Sequence, residues 1–448
     1  MSGNAKLTRG PIAGHLVSQT LPMIIGVAAI MSIGLVDAYF IGQLGSQQLA
    51  AISFIFPITI AMGSLGVGVM VGINSVVARA LGEGDEDKAA RRGLLGMIFA
   101  VCAGIVAGLL LFLALDPLFG LMQVSDDLLP FIRAYMRPFA LGFPLQMAIM
   151  GINGVLRGQG EARKTSMVSI CYSIANWVLD PILITGALGF EGFGMAGAAY
   201  ASLTGWAMAI ALGLWLIRHA PLRLQFALLH NCRLREPLTA MLRVAGPAAL
   251  SNSINPIGLS ILTALIASEG DAAVAGFGAA GRVQSFAVVP LLGLSGSIGA
   301  IVGQNVGARQ FERAQHAATL AGLFCLAYGL LIAAILSFNG GWFADFFTED
   351  PAVMRQFARY LSIAAWGYAG FGMLIVANGV LNAVDRASFA LLQSASRVFL
   401  VMLPVAWLMR SAWGADAIYA AELSANLIGG TIAAAVVWRA LRSKSLRG

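Results

Sequence analysis

The chain has 448 residues, of which 58% are apolar and 11% are charged, and its mean hydropathy is +0.82. Soluble domains carry a charge on roughly a quarter of their residues. A soluble fold of this composition would lack polar surface, so we predict an all-α membrane protein.

Several classes of function are disfavoured by the motifs that the sequence lacks. The four cysteines form no C-x-x-C pair, and the four histidines form no H-E-x-x-H helix, which argues against a zinc site, structural disulfides and a metalloenzyme. No G-x-x-x-x-G-K-[ST] loop is present, which argues against an ATP-driven pump. We therefore predict a protein that is not an enzyme and needs no cofactor.

In chain order, the first twenty residues are mixed and polar, without a cleavable signal, and the apolar run that follows is long enough to be a membrane span. Eleven further apolar runs succeed it. The twelve predicted spans are 21–44, 48–74, 92–115, 131–156, 165–187, 193–217, 244–267, 272–300, 315–338, 356–382, 388–409 and 414–438.

The lysines and arginines of the connections predict the orientation of these spans. With the N-terminus inside, most of them fall in inside segments, including Arg386 and Arg397, which we assign to the connection after span 10. Both termini are therefore predicted to be cytoplasmic. The net charge of +7 is explained by this bias and by anionic lipid, so no nucleic-acid partner is required. The outside segments hold only Arg133, Arg137, Arg355, Arg359 and Arg410.

An internal repeat appears when the chain is shifted by 225 residues. Pro22 then meets Pro247, Tyr135 meets Tyr360, and the sequence NGVL at 153–156 meets NGVL at 378–381. Span 1 falls on span 7, so the two halves run in the same direction and are related by an axis along the membrane normal. We predict two parallel six-helix lobes with pseudo-twofold symmetry, an N-terminal lobe (1–217), a cytoplasmic linker (218–243) and a C-terminal lobe (244–448).

Four ionisable residues interrupt the apolar spans, and such residues are candidates for function because their burial is costly. They are Asp37, Asp180, Glu422 and Arg282. For Glu422 the structural alternative is a pair with Arg282, and Arg282 is otherwise expected to anchor neighbouring helices. The structural alternative for Asp37 is that it caps a broken helix or pairs with a polar neighbour, and for Asp180 that it only holds helices together.

Asp37 and Asp180 each lie about seven residues from the outer end of their span, roughly 10 Å deep, so they could share one cavity. Asn176 precedes Asp180 by one helical turn, and Ser202 and Thr204 lie at a comparable depth on span 6. Low polarity and a neighbouring carboxylate both favour the protonated form of an acid, so the pair can hold and release a proton. The same oxygens could instead bind sodium.

Four further motifs are distinctive: VDAYFIGQLG at 36–45, NGVLRGQG at 153–160, NWVLDP at 176–181 and GQNVGA at 303–308. By these motifs the sequence resembles a known family, the multidrug and toxic compound extrusion (MATE) transporters, and most closely its DinF-like branch. The resemblance covers nearly the whole chain. It implies the twelve-helix, two-lobe fold, a location in the bacterial inner membrane, and a small organic substrate.

By this resemblance, Asp37, Asn176 and Asp180 form the cation-coupling site of the N-terminal lobe. The acids that a NorM-like pattern places in helices 7 and 10 are replaced here by Asn255 and Phe371. This departure argues against a second cation site in the C-terminal lobe. Together with Thr204 and Arg282 from the span analysis, the nearby polar residues of a substrate cavity would be Tyr39, Tyr135, Asn153 and Ser202.

Two functions remain open from the sequence. The first is an antiporter that exports organic compounds, often cationic and lipophilic, in exchange for protons or sodium by alternating access. The second is a flippase for lipid-linked precursors, which should line its cavity with several arginines, whereas we place only Arg282 within a span. Nothing in the sequence requires more than a monomer.

Overall fold

The structure, a computed structural model, describes residues 5–187, 189, 191–229 and 234–443. The described residues form helices and turns and contain no β-strand. Twelve of these helices are long and apolar enough to cross a membrane, which confirms the predicted all-α class and the number of spans. Spans 1 to 12 are Ile12–Leu44, Ser46–Gly82, Glu86–Leu121, Leu129–Gly158, Ala162–Gly186, Met195–Arg218, Arg235–Glu269, Val289–Gly307, Phe311–Phe338, Pro351–Ala383, Ala387–Trp413 and Ala415–Arg442.

Many helices extend beyond the apolar run that predicted them. Span 2 has 37 residues and is therefore about 55 Å long, well beyond a hydrocarbon core of about 30 Å. Span 7 begins at Arg235 within the predicted linker, and Glu236 pairs with the buried Arg92 of span 3 at 2.7 Å. Because such helix ends are polar, the hydropathy of the sequence does not show that the helix continues through them.

The region predicted as span 8 is divided into two helices, Asp271–Ala287 and Val289–Gly307. The division falls at Val288, two residues before Pro290. Proline has no N–H to donate and its ring displaces the preceding turn, which explains why the single predicted helix bends here.

Spans 5 and 11 each contain a wider, π-helical turn. In span 5 it covers Pro181–Gly186 and directly follows Asp180, and in span 11 it covers Ser396–Met402. Such turns redirect side chains and are frequent at functional sites. Span 5 contributes Asp180 to a buried polar group of unit 1, and span 11 contributes Arg397 to buried polar contacts of unit 2, both described below.

The chain folds into two compact units. Unit 1 contains residues 5–6 and Pro22–Ala249, and unit 2 contains Leu7–Leu21 and Leu250–Gly448. Each unit has its own apolar core, and small residues let helices approach closely. In unit 1, for example, a Cβ at Gly108 would lie 2.3 Å from the carbonyl oxygen of Ala140.

Candidate functional site

The carboxyl groups of Asp37 and Asp180 are direct neighbours within unit 1. Asp180 is fully buried, whereas Asp37 is partly exposed. Asp37 lies seven residues before the end of span 1 and Asp180 six residues before the end of span 5, so both lie about 10 Å from the same ends of their helices. The predicted meeting of the two acids is thus present in the structure.

Three of the four oxygens of this pair have no hydrogen-bond donor among the described residues. They are Oδ1 of Asp37 and both carboxyl oxygens of Asp180. Burying a carboxylate without donors costs several kcal/mol, and a second carboxylate beside it adds repulsion. A proton or a cation between the two groups would remove both costs.

Asn176 is held beside the acids rather than free to turn. It is fully buried, its Nδ2 donates to the carbonyl oxygen of Tyr172 at 3.1 Å, and its Oδ1 accepts a hydrogen bond from Ser202 at 3.3 Å. A Cβ at Gly205 would lie 2.8 Å from Nδ2 of Asn176, so span 6 packs directly against this amide. Asn176 precedes Asp180 by one helical turn, and these contacts join it to Ser202 of span 6. A role for Asn176 and Ser202 beside the acids stays a prediction.

Buried aromatic side chains line the same group. Tyr135 interacts with Asp37 and stacks on Phe139 at 6.0 Å, and Phe139 contacts the edge of Trp206 at 5.8 Å. Tyr172 lies 6.2 Å from Trp206. These rings give the acids apolar neighbours, and electrostatic interactions are stronger in such surroundings than in water.

Asp180 is the last residue of the regular α-helix, directly before the π-helical turn. Pro181 cannot donate to the carbonyl of Trp177, so the regular helix ends and a wider turn begins. Span 6 closes against this turn, because a Cβ at Gly197 would lie 1.8 Å from the carbonyl oxygen of Leu183. Only glycine fits there without moving the backbone.

Among the described residues, three of the predicted polar side chains make no hydrogen bond to the acids. Tyr39 is 65% exposed, and Thr204 is exposed and donates to the carbonyl oxygen of Tyr200 within its own helix. Asn153 is buried but follows Tyr135 by 18 residues on span 4, roughly 27 Å along the helix. The sequence spacing could not show which face of a span each residue occupies.

A second buried polar group lies in unit 2, and the sequence analysis missed most of it. Glu422 accepts hydrogen bonds from Gln284 and from Tyr360, the latter at 2.8 Å. The predicted pair between Glu422 and Arg282 is wrong, because Arg282 is exposed on the short helix Asp271–Ala287. The repeat offers a signal for this group, since Tyr360 corresponds to Tyr135.

Arg397 is the largest departure from the sequence analysis. We assigned it to an inside connection, but it is 4% exposed in the middle of span 11 and donates hydrogen bonds to Asn255 and Asn426. The prediction that Arg282 is the only base within a span is therefore wrong. The apolar run 388–409 contains Arg397, so its position in that run was the available signal.

Among the described residues, no group of three His, Cys, Asp or Glu side chains could hold a metal ion. A sodium ion at Asp37, Asn176 and Asp180 would have to use carboxyl and amide oxygens alone. The free oxygens of the two acids suit such a hard cation. The amide oxygen of Asn176 already accepts a hydrogen bond from Ser202, so the set is poorer in ligands than a dedicated metal site.

Comparison with known proteins agrees with the fold and the repeat. The MatE family model matches residues 22–182 and again residues 247–408, two matches that begin 225 residues apart. A FAD transporter from Shewanella oneidensis is 34% identical over 402 residues, which cover 89% of this chain and 88% of that protein. A probable multidrug resistance protein of Bacillus subtilis, YoeA, is 24% identical over 388 residues, covering 85% of this chain and 83% of that protein.

Solved structures of transporters have the same fold as this chain. An aspartate-to-asparagine variant of the Vibrio cholerae MATE transporter VcmN superposes with a TM-score of 0.93 at 28% identity, covering 97% of this chain and 98% of that one. A transporter of the MOP superfamily from Pyrococcus furiosus has the same fold, with a TM-score of 0.92 at 23% identity, covering 100% of this chain and 99% of that one.

The fold and these matches define a multi-pass transporter of the inner membrane and not an enzyme. The chain belongs to the MatE family, the multidrug and toxic compound extrusion transporters. Its placement in the DinF-like branch stays a prediction, as does the orientation of its termini.

Proposed function

We propose that this chain is an antiporter that exports a small organic compound in exchange for a cation bound at Asp37 and Asp180. The observation that carries the proposal is the pair of adjacent carboxyl groups, of which Asp180 is fully and Asp37 partly buried, with three oxygens free of donors among the described residues. Such a pair binds a cation strongly when closed off and releases it when water enters. The coupling ion that it suits best is a proton, because a proton shared by two carboxyls needs no further ligands.

Entry of the coupling cation supplies energy for export. Movement of one charge down a potential of 100 mV is worth about 2.3 kcal/mol. Neutralising the pair also removes the cost of a buried, unsatisfied charge, so the loaded and empty forms favour different conformations. Coupling of this kind requires only the two acids and their surroundings, so a single chain suffices and we propose a monomer.

The test is export of a fluorescent organic cation from cells, or its uptake into inverted vesicles, under an imposed proton gradient and then a sodium gradient. We expect export driven by the proton gradient, and its loss in Asp37→Asn. Asp116→Asn is the matched control, since that exposed acid pairs with Arg133 at the end of span 3. Export in Asp37→Asn at the wild-type rate would contradict the proposal, and export that follows only the sodium gradient would change the coupling ion.

A second candidate substrate is a flavin dinucleotide. The observation in its favour is the 34% identity, over most of both chains, to a protein named as a FAD transporter. The same inverted vesicles, supplied from outside with FAD in place of the dye, test this candidate directly. The flippase alternative is less well supported by the multidrug relatives, although the arginine argument against it is weakened by Arg397.

A further inference from the structure

Arg397 is a buried charge in unit 2 that takes no part in the coupling site. It lies ten residues into span 11, about 15 Å from the start of that helix, and within the π-helical turn Ser396–Met402. Charged side chains at such depth are costly to bury and mark sites of function. The surroundings of the guanidinium indicate which ligand it could bind.

The partners of Arg397 are neutral. One Nη donates to the amide oxygen of Asn426, the other to that of Asn255, and the guanidinium lies over the ring of Phe371 at 5.0 Å. Among the described residues, no carboxylate lies within ion-pair distance of it. Glu422 is close enough to interact electrostatically, but its oxygens accept from Gln284 and Tyr360. The positive charge of Arg397 is therefore only partly compensated.

A second donor lies unused beside the guanidinium. A guanidinium has no acceptor, so its hydrogen bond fixes the oxygen of Asn426 towards Arg397 and leaves Nδ2 pointing elsewhere. That Nδ2 is buried and has no acceptor among the described residues. An unpaired buried donor costs about 1–3 kcal/mol, and an oxyanion bound across Arg397 and Asn426 would satisfy it.

The group can be reached from one side. Asn255 is exposed and Phe371 is half-buried, so the head of Arg397 lies directly behind an accessible amide. Its stem packs on Gly429, where a Cβ would lie 2.9 Å from Cγ of Arg397. The side chain is thus held by its stem, while an anion could replace the oxygen of Asn255 at the head.

The internal repeat makes the contrast between the units explicit. A shift of 225 residues carries Tyr172 of unit 1 onto Arg397 of unit 2, and Tyr135 onto Tyr360. The tyrosine of unit 1 stands beside two acids, whereas its counterpart is a cation. Equivalent places in the two units therefore favour charges of opposite sign.

We propose that Arg397 and Asn426 bind a phosphate, or a similar oxyanion, of the exported compound. The guanidinium would donate to two of its oxygens, Nδ2 of Asn426 to a third, and Phe371 would contact an adjoining flat ring. This inference rests on the proposed export function and supports its second substrate candidate, a nucleotide-like anion, as a further substrate of the same exporter.

The experiment compares two fluorescent probes on the purified full-length protein. FAD and riboflavin share the same ring system, but only FAD carries phosphates. We expect FAD to bind at least tenfold more tightly than riboflavin. Arg397→Gln should lower FAD affinity about 10- to 100-fold and leave riboflavin affinity unchanged. Arg397→Lys keeps the charge but not the planar fork, so its FAD affinity should lie between those of the wild type and Arg397→Gln.

Two further variants keep the result interpretable. Arg410→Gln removes the same charge near the end of the same span and should leave FAD binding intact. Asn426→Ala removes the free donor, together with the oxygen that accepts from Arg397, without changing any charge. It should weaken FAD binding severalfold, which keeps a test available if Arg397→Gln does not fold. Equal affinity for both probes in the wild type would overturn the proposal, as would parallel losses of both in the Arg397 and Asn426 variants.

The two proposals fail in different ways. If the proton gradient drives dye export but FAD binds no better than riboflavin, the oxyanion site is wrong and the antiporter stands. If FAD binding depends on Arg397 but no gradient drives export of either compound, the coupling proposal is wrong.

Discussion

At the scale of single residues, Asp37 and Asp180 have the same chemistry but different surroundings. Asp180 is fully buried with both oxygens lacking donors, while Asp37 is partly exposed. Asp37 is therefore the group through which water or a cation would reach the pair. Asp180 is the one whose charge costs most when no proton or cation is present.

This difference leads to the prediction for Asp180→Asn. The variant should lose proton-driven dye export, at least tenfold, because an amide cannot release a proton. Its thermal unfolding temperature in detergent should stay equal to that of the wild type or rise, because a buried group that repels its neighbour has been removed. Loss of export together with a marked loss of stability would instead indicate a structural role for Asp180.

Glu422 is a different kind of acid, since its two oxygens accept hydrogen bonds from Gln284 and Tyr360. We expect Glu422→Gln to keep more export activity than either aspartate variant, and to cost about 1 kcal/mol of stability through the altered network. Dye export and thermal unfolding of the three variants, side by side, check this order. If Glu422→Gln alone abolishes transport while both aspartate variants remain active, the coupling site lies in unit 2.

At the scale of helices, the site of unit 1 depends on glycines that let span 6 touch span 5. Gly205 faces Asn176 and Tyr172, and a Cβ there would lie 2.8 Å from Nδ2 of Asn176. The acids themselves are untouched by this position. A substitution there separates the geometry of the site from its charge.

We predict that Gly205→Ala lowers proton-driven export and destabilises the protein by about 1–3 kcal/mol, because the added methyl overpacks the site. Gly63→Ala is the control: it lies within span 2 of the same unit, and a Cβ there would meet nothing within 4 Å. That control should keep full export and gain up to about 1 kcal/mol from better helix propensity. Similar behaviour of the two variants in export and unfolding would argue against the tight contact.

The sequence predicted helices better than the turns within them. An apolar run of twenty residues specifies a span, because no other fold satisfies its backbone in lipid. A π-helical turn of six residues, such as Pro181–Gly186, leaves no periodic pattern and depends on the contact of Gly197 with Leu183. The acids could be predicted because charges are rare in spans. Arg397 could not be placed by a rule that assigns arginines to connections.

At the scale of the whole molecule, the first helix is divided between the two units. Leu7–Leu21 belongs to unit 2, whereas the chain from Pro22 onward belongs to unit 1. The predicted N-terminal lobe, 1–217, includes these residues, although the repeat on which it rests begins at Pro22 and gives no information on the residues before it. The start of the chain is therefore attached by specific contacts that the repeat does not contain.

Three side chains of unit 2 hydrogen-bond to Leu7, and Asn305 is one of them. Asn305 is fully buried, its Nδ2 donates to the carbonyl oxygens of Leu7 and Ile301 at 3.1 and 2.8 Å, and its Oδ1 accepts from Arg313 at 3.0 Å. Arg313 also donates to the carbonyl oxygen of Leu7 at 3.4 Å. Gln304 beside Asn305 accepts from the backbone N–H of Leu7 at 3.1 Å. Together these three side chains satisfy both backbone groups of Leu7.

We predict that Asn305→Ala destabilises the protein by about 1–3 kcal/mol, because it leaves the Nε of the partly buried Arg313 without its acceptor and removes one hydrogen bond to Leu7. Hydrogen exchange of residues 5–16 should become faster while exchange in the spans of unit 1 stays unchanged. Asn339→Ala, which removes an exposed hydrogen bond at the end of span 9, should change stability by less than about 0.5 kcal/mol. Equal exchange at residues 5–16 in Asn305→Ala and the wild type would show that apolar packing alone, through Leu7, Ile12 and Leu16, holds this segment in unit 2.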